Sequence, residues 1–509
     1  MRNTLVLLFS LFLFSVAQAQ TRMEIPADNG ANSFRLINLN EKGVIILQKD
    51  PQGWLNIKKY DSDLALAWES NAEIGQKSDF LEHYADGGFL YLLMENRSSK
   101  EFDLLRISVS FAASQRFPLR SVPQFDMSHF KVKDDVACVG GSVKGEPILL
   151  FYELGNQIPK IISTNLKGES GLQTIDFEDD MIHVSFLNKV KKKSEAILRT
   201  YSGNGKVLYT TTITPKPEFD FLSSKFFRTA ESNLIIGNYG YKMTERDGGT
   251  NSQGIYVARI TDNHATQVNY YSFADFKNFF KFMSEKQQDK IEKQVAKKKE
   301  RGSEFRTSYR AHIHDLIEGD NEIIIASEVF MPEFRNNNMM SPMYGNSFMY
   351  PYSYYGRYPF YNNVWNYYPN LWGYGNRGSQ ILDGFKYIQG LIISIDKSGK
   401  LKWDNSIPYK NLKMYDLKNY IKVTTKQGST LAAYSRDNKI VVNEFSETGQ
   451  LKDGQIIEEP NEKTQRPRNG DYEDTEYWFG NFFLNWGVQK VSDAGGRKKT
   501  VFFVNKIPY

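Results

Sequence analysis

The sequence predicts an all-β fold of eight repeated units, each of four antiparallel strands, on three observations. Apolar, β-branched runs recur in pairs separated by a polar loop. A shorter, more polar stretch precedes each pair. Tight turns of Asp, Ser, Asn and Gly follow it and lead into a further strand.

The first runs of the pairs are Gly43–Leu47, Phe89–Met94, Val136–Gly140, Met181–Leu187, Leu234–Gly237, Ile323–Ala326, Thr430–Tyr434 and Asn481–Trp486. The second runs begin near Trp54, Asp103, Pro147, Glu195, Gly254, Gly390, Lys439 and Thr500, mostly 44 to 61 residues apart. One gap of 136 residues, between Gly254 and Gly390, contains two insertions. Runs this apolar, without clean alternation, suit strands buried on both faces. The preceding polar strands are expected at Ser33–Asn40, Asp79–Tyr84, Ser128–Lys133, Gln173–Phe177, Ser224–Thr229, Arg310–Leu316, Asn419–Thr425 and Thr475–Phe479. Turns such as Ser202–Gly205, Asp396–Gly399 before Trp403, and Ser446–Gly449 supply the side-chain hydrogen bonds and positive φ that hairpins need.

Four strands at a period near 45 residues are the repeat logic of a β-propeller. The turn-then-Trp hairpins resemble the secreted WD40-like and quinoprotein-like propeller repeats of bacteria. That resemblance spans nearly the whole mature chain and implies a fold, not an activity. The last unit ends at Tyr509 with three strands, and Arg22–Pro26 is expected to supply the fourth. A seven-bladed ring with one degenerate unit is the alternative. Residues 20–509 are read as one propeller domain.

Residues 1–19 read as a cleaved signal peptide. Arg2 gives a positive start, Thr4–Val16 an apolar core, and Ala17-Gln18-Ala19 a small-x-small cleavage site. Gln20 stands where a lipoprotein would carry Cys. The expectation is an exported protein, periplasmic or extracellular, with no membrane span. Cys138, the only cysteine, sits in an apolar run and reads as a buried small hydrophobe, so no disulfide braces the fold.

Counting strands a to d outward from the channel, loops b–c and d–a share one face. That face receives the long loops. The insertion 272–304 reads as a helix from Ser272, which pairs with Asp275 as a cap, to about Arg301, with Phe276, Phe280, Met283, Ile291 and Val295 as its apolar stripe. The insertion 335–383 is a Tyr/Asn/Gly-rich low-complexity segment. Binding is expected through its Tyr350, Tyr352, Tyr354, Tyr355, Tyr358, Trp365 and Trp372, and through the basic residues Lys191, Lys192, Arg497 and Lys498 on the same face. The acidic turns Lys133-Asp134-Asp135 and Phe177-Glu178-Asp179-Asp180 on the other face read as solvated hairpins.

Candidates for chemistry are few. His312 and His314, two apart on a first strand, point the same way in an unbroken strand and offer a weak metal site, with His83 and His129 on other first strands. Asp471, Glu473, Asp474 and Glu476 cluster on the long-loop face, where paired acids would suit a glycan-active hydrolase or lyase. No nucleophile elbow, P-loop, dinucleotide fingerprint or zinc-protease helix occurs, so no cofactor is implied. The preferred reading is a non-catalytic binding or scaffold propeller for an envelope protein or an anionic glycan. Nucleic acid is not expected as a partner, because export removes the chain from it.

Overall fold

The structure is a computed structural model and describes residues 21–27, 34–166, 168–190, 193–242, 251–336, 380–415, 417–436, 439–458, 473–492 and 498–509. Within them the predicted repeats are antiparallel sheets, eight in number, and the fold is an eight-bladed β-propeller rather than a seven-bladed one. The first strands are Phe34–Asn38, Ser78–Asp86, Phe125–Lys133, Glu169–Glu178, Lys225–Arg228, Arg310–Glu318, Lys422–Lys426 and Glu473–Phe479, each overlapping its expected stretch. In blade five the first strand is split. Phe219–Phe221 and Lys225–Arg228 both pair with Asn233–Tyr241.

The second and third strands hold the core, and their continuous burial explains the missing alternation. Ile323, Ile324 and Ile325 are fully buried, as are their partners Ile393 and Ile395 on the neighbouring strand. Turn chemistry is as expected. In the blade-six hairpin one oxygen of Asp396 accepts from the Ser398 and Lys400 backbone N–H groups, both at 2.9 Å, and Gly399 takes φ +86°. Asp134 and Asp179 also lie at positive φ, a conformation Asp tolerates better than most residues, so these acids serve the turn.

The chain divides into two compact units. One comprises the described residues up to Glu73, with Ala433–Val442 and Gly454–Tyr509. Its core packs Phe34, Val44, Ile46, Trp478, Phe502 and Val504, with Phe34 and Phe502 stacked at 4.7 Å. Gly43 is required here. At φ +95°, any Cβ would lie 1.9 Å from the Tyr60 carbonyl oxygen. The last blade is completed as expected: Thr21–Pro26 pairs antiparallel with Lys498–Pro508, from Thr21 opposite Lys506 to Pro26 opposite Val501. Arg22 fastens this strand through Gln489 at 2.8 Å and stacks over Phe503 at 4.5 Å.

The other unit comprises Ile74–Ala432 and Asn443–Asp453. In blades two, three, four and six the first strand carries a β-bulge partway along, at Leu81, Ser128, Gln173 and His314. A bulge leaves one residue unpaired and re-aims those beside it. The re-aimed residues are polar: Glu82, His129, Thr174 and Asp315.

The one α-helix of the described residues is shorter than expected. Ser272 does cap a turn, accepting from the Ala274 N–H, but that turn is a single 3-10 turn, Phe273–Asp275. The helix spans Glu285–Glu300, opened by a capping box between Ser284 and Gln287, and none of its residues is fully buried. The reason is packing. Phe273, Phe276 and Phe279 are buried in the core of blades five and six, with Phe273 stacked on Phe279 at 4.6 Å, so the chain follows that core before a helix can start. No helix among the described residues is long and apolar enough to cross a membrane.

Candidate functional site

The first strand of blade six carries both histidines, with a β-bulge at the second. The bulge sets His312 opposite Glu328 and Asp315 opposite Ala326, leaving His314 out of the ladder. The two rings stay 6.1 Å apart, centre to centre. His314 turns into a dry site, its side chain 1% exposed. There Nδ1 lies 2.8 Å from the Asp315 carboxylate and Nε2 lies 3.7 Å from that of Glu328. Asp315 is the wet end of the cluster, 45% exposed. Burial alone would raise its pKa, but His314, Lys422 and Lys225 beside it hold the carboxyl well below the usual range. Burial, with His314 and Lys225 nearby, pushes His312 down to about 3, so its imidazole is neutral.

Glu328 is the residue the sequence hid. It is fully buried, and desolvation raises its pKa to about 8 despite three hydrogen bonds. Its Oε1 accepts from the Tyr420 and Ile421 backbone N–H groups at 2.8 and 2.7 Å, and its Oε2 pairs with the Tyr409 hydroxyl at 3.1 Å. This one carboxyl therefore fixes the segment entering blade seven. Lys225, from blade five, donates to the His314 carbonyl at 3.0 Å, tying three consecutive blades.

Among the other first-strand histidines, His129 is used structurally. His129 bonds Ser128 through Nδ1 and the Gln173 carbonyl through Nε2, each at 2.9 Å, and burial pushes it down to about 3. His83 is likewise lowered, to about 4, beside Glu82, which burial raises to about 7. Among the described residues no group of three or more His, Cys, Asp or Glu is placed to hold a metal ion. Cys138 is buried, and burial pushes its thiol pKa up.

The described acidic candidates lie along one strand. Asp471 lies outside the described residues, and Glu473 begins the first strand of the last blade. Asp474 is exposed and Glu476 half-buried, with buried Thr475 between them. Tyr350, Tyr352, Tyr354, Tyr355, Tyr358, Trp365, Trp372, Lys191, Lys192 and Arg497 lie outside the described residues, and Lys498 begins the strand Lys498–Pro508.

What the described residues do show is how the two insertions are mounted. In an antiparallel four-strand blade the b–c and d–a connections leave from the same end. The strands flanking the Tyr-rich insertion, Ile323–Asn336 and Gln380–Ile395, stay paired up to Asn336 opposite Gln380. The fourth strand, Leu401–Met414, runs beside them as far as Met414 opposite Phe385. Phe330, Phe385 and Tyr387 are buried in this extension, and Lys413 bridges Glu333 at 3.1 Å and Asp383 at 2.7 Å. The insertion is therefore carried on a packed three-strand pedestal.

The blade-five insertion is clamped against blade six. Asp404, buried on blade six, accepts the Lys277 and Asn278 backbone N–H groups at 3.0 and 2.8 Å. Gln389 donates to the Phe279 carbonyl at 2.7 Å, and Ser406 to the Asn278 carbonyl at 2.6 Å. On the return, Arg306 stacks over Tyr241 at 4.5 Å and Thr307 donates to the Ser252 carbonyl at 2.5 Å. Asp404→Ala strands two buried N–H donors, at about 1–3 kcal/mol each. Limited proteolysis should then cut near residues 277–284 at least about tenfold faster, at a loss of about 2–6 kcal/mol of global stability. An unchanged cleavage rate would show that the phenylalanines hold the insertion alone.

No family model matches the chain, and no curated protein matches it. Among solved structures it is similar to the polysaccharide lyase Uly1, with TM-score 0.41 and 9% identity over 88% of this chain and 92% of that one. It is also similar to the dihydro-heme d1 dehydrogenase NirN, with TM-score 0.42 and 11% identity over 96% and 78%. A third is Drosophila Plexin A, seen in complex with Semaphorin 1b, with TM-score 0.36 and 8% identity over 96% and 86%. Likenesses this distant carry no activity across. The class stands on the eight sheets themselves: a β-propeller with two insertions mounted at one end of blades five and six.

Proposed function

We propose that this chain is an exported, non-catalytic binding propeller that engages an envelope protein or an anionic glycan through the end of blades five and six that carries the insertions. The observation that carries the reading is the pedestal, a packed and hydrogen-bonded mount for a 43-residue segment rich in Tyr, Asn and Gly. Loops on rigid scaffolds are where binding concentrates, and Tyr with Asn and Gly combines rigid amphipathic rings with adaptable hydrogen bonding. Export rests on the leader-like residues 1–19.

Asn336 and Gln380 are strand neighbours, so residues 337–379 can be replaced by a short Gly-Asn turn without moving the pedestal. The replacement should leave the circular dichroism and melting midpoint unchanged while abolishing co-purification of partners from a native cell-envelope pull-down. Unchanged pull-downs would overturn the reading, and so would turnover of a polysaccharide panel by the intact chain.

A further inference from the structure

The helix Glu285–Glu300 extends the same reading and points to the class of partner. Its inward side is defined by Gln288, Ile291 and Val295, the residues that lose part of their exposure, while the rest of the helix up to Glu300 is exposed. At about 100° per residue, Lys286, Lys290, Lys293, Lys297 and Arg301 fall within an arc of roughly 80° on the side away from those three. All five are exposed, and among the described residues none of their side chains has a carboxylate partner. The one paired helix cation is Lys299, bound to Asp275 at 2.5 Å on another flank. The helix acids Glu285, Asp289, Glu292 and Glu300 lie to one side of the row. From Glu285 to Arg301 the segment carries seven basic residues against four acidic ones.

Lys286 with Lys290, Lys293 with Lys297 and Lys297 with Arg301 are like-charge neighbours at i and i+4, each pair costing about 0.2–0.5 kcal/mol. Asp289 and Glu300 offset part of that cost at i+3 and i+4 spacings, and an external anion relieves the rest. At about 1.5 Å per residue the row is roughly 22 Å long, so an extended polyanion can meet every cation while a single phosphate meets one or two. The helix does not suit insertion into a bilayer surface, because its exposed face carries no Trp, Phe or Leu and its two β-branched apolar residues turn inward. Tyr415, 75% exposed just past the end of the blade-six fourth strand, has Lys413 Nζ 6.0 Å from its ring centroid and leaves the rest of the ring for stacking on a sugar.

We propose that the basic row of this helix docks a linear anionic polysaccharide, a proposal that rests on the binding role of this end of the blades. The probe is biotinylated polygalacturonate, offered to the chain lacking residues 1–19. Its fully methyl-esterified form, polyglutamate and phosphatidylglycerol vesicles are the comparisons. The variant is Lys286→Gln, Lys290→Gln, Lys293→Gln and Lys297→Gln together, because Gln keeps the helix propensity and the capping box is untouched.

Wild type should bind polygalacturonate but not its esterified form, and binding should weaken by about tenfold or more between about 50 and 200 mM salt as counterions are released. The variant should lose about tenfold or more in affinity with its circular dichroism unchanged. Equal affinity of variant and wild type overturns the proposal, as does stronger binding to vesicles or polyglutamate than to the glycan. The chain lacking 337–379 keeps its polygalacturonate affinity if the helix carries it. That deletion, scored on co-purifying envelope proteins rather than on glycan, tests the parent reading separately: retained proteins overturn the parent reading and leave this proposal standing.

Discussion

Removal of the strand residues 21–26 is expected to cause the largest loss of stability of any surface change. The strand contributes six paired positions against Lys498–Pro508, with Met23 and Ile25 packed on the core cluster beneath. At about 0.5–1 kcal/mol net per ladder hydrogen bond, plus partial burial of two apolar side chains, the loss is roughly 3–6 kcal/mol. The melting midpoint should fall by about 5 °C or more. The damage extends beyond the missing contacts. Deletion uncovers Val501-Phe502-Phe503-Val504 as an unpaired edge with high β-propensity and no charge. Such an edge is a template for aggregation. Scanning calorimetry and light scattering on the truncated chain check both effects. A soluble monomer with an unchanged midpoint would show that the last blade is stable with three strands.

The second large effect is expected at Glu328. With its pKa raised to about 8, the carboxyl is neutral near pH 7 and works as a hydrogen-bonding group rather than a charge. Glu328→Gln keeps an oxygen for the Tyr420 and Ile421 N–H groups and an N–H for the Tyr409 oxygen, so it should cost about 1 kcal/mol or less. Glu328→Ala leaves two buried N–H donors and a hydroxyl without a partner and should cost about 3 kcal/mol or more. The pH dependence has a definite sign. Between the ordinary carboxyl value of 4.5 and about 8, the native state holds a proton that the unfolded chain has released. This group's contribution to stability is therefore full below the lower value and falls as pH rises through that window. Buried His129 and His312, lowered to about 3, act in the opposite direction up to about pH 6.5. The difference between wild type and Glu328→Gln isolates the carboxyl. In urea melts from about pH 5 to 9, wild type should lose stability relative to the variant as pH rises. Parallel curves would show that Glu328 is charged and held by its donors.

Most of the fold was legible because each blade repeats the same physical problem. A second strand such as Ile323–Ala326 is buried on both faces, so its apolar content declares it. A turn such as Asp396–Gly399 needs particular residues, so composition declares it too. The bulge at His314 had no such signal. It shifts pairing by one residue through the backbone and takes His314 out of the ladder, with its ring 6.1 Å from that of His312. Glu328 was equally hidden, because an acid after an apolar run reads as the solvated end of a strand. The clue was that Val329, Phe330 and Met331 continue the apolar pattern beyond it. The helix start was misplaced because Phe276, counted in the apolar stripe, serves the blade core with Phe273 and Phe279 instead. The aromatic binding candidates lie outside the described residues, and their role rests on composition and on the strands that carry them.

The pairing of Thr21–Pro26 with the C-terminal strand also makes the chain formally cyclic. Thr21 sits opposite Lys506, three residues before Tyr509, so a linker of a few residues would turn the two ends into an ordinary c–d hairpin. The beginning of the polypeptide is then a matter of convenience, and an exposed turn such as Gly87-Gly88 could serve instead, since both glycines are open to solvent with nothing crowding them. A permutant opened there would synthesise the last blade as one continuous four-strand meander. Its closing contact would become local rather than spanning nearly the whole sequence. The native order makes assembly of that blade wait for Lys498–Pro508 to emerge, and the permutant would shift the wait to a different blade.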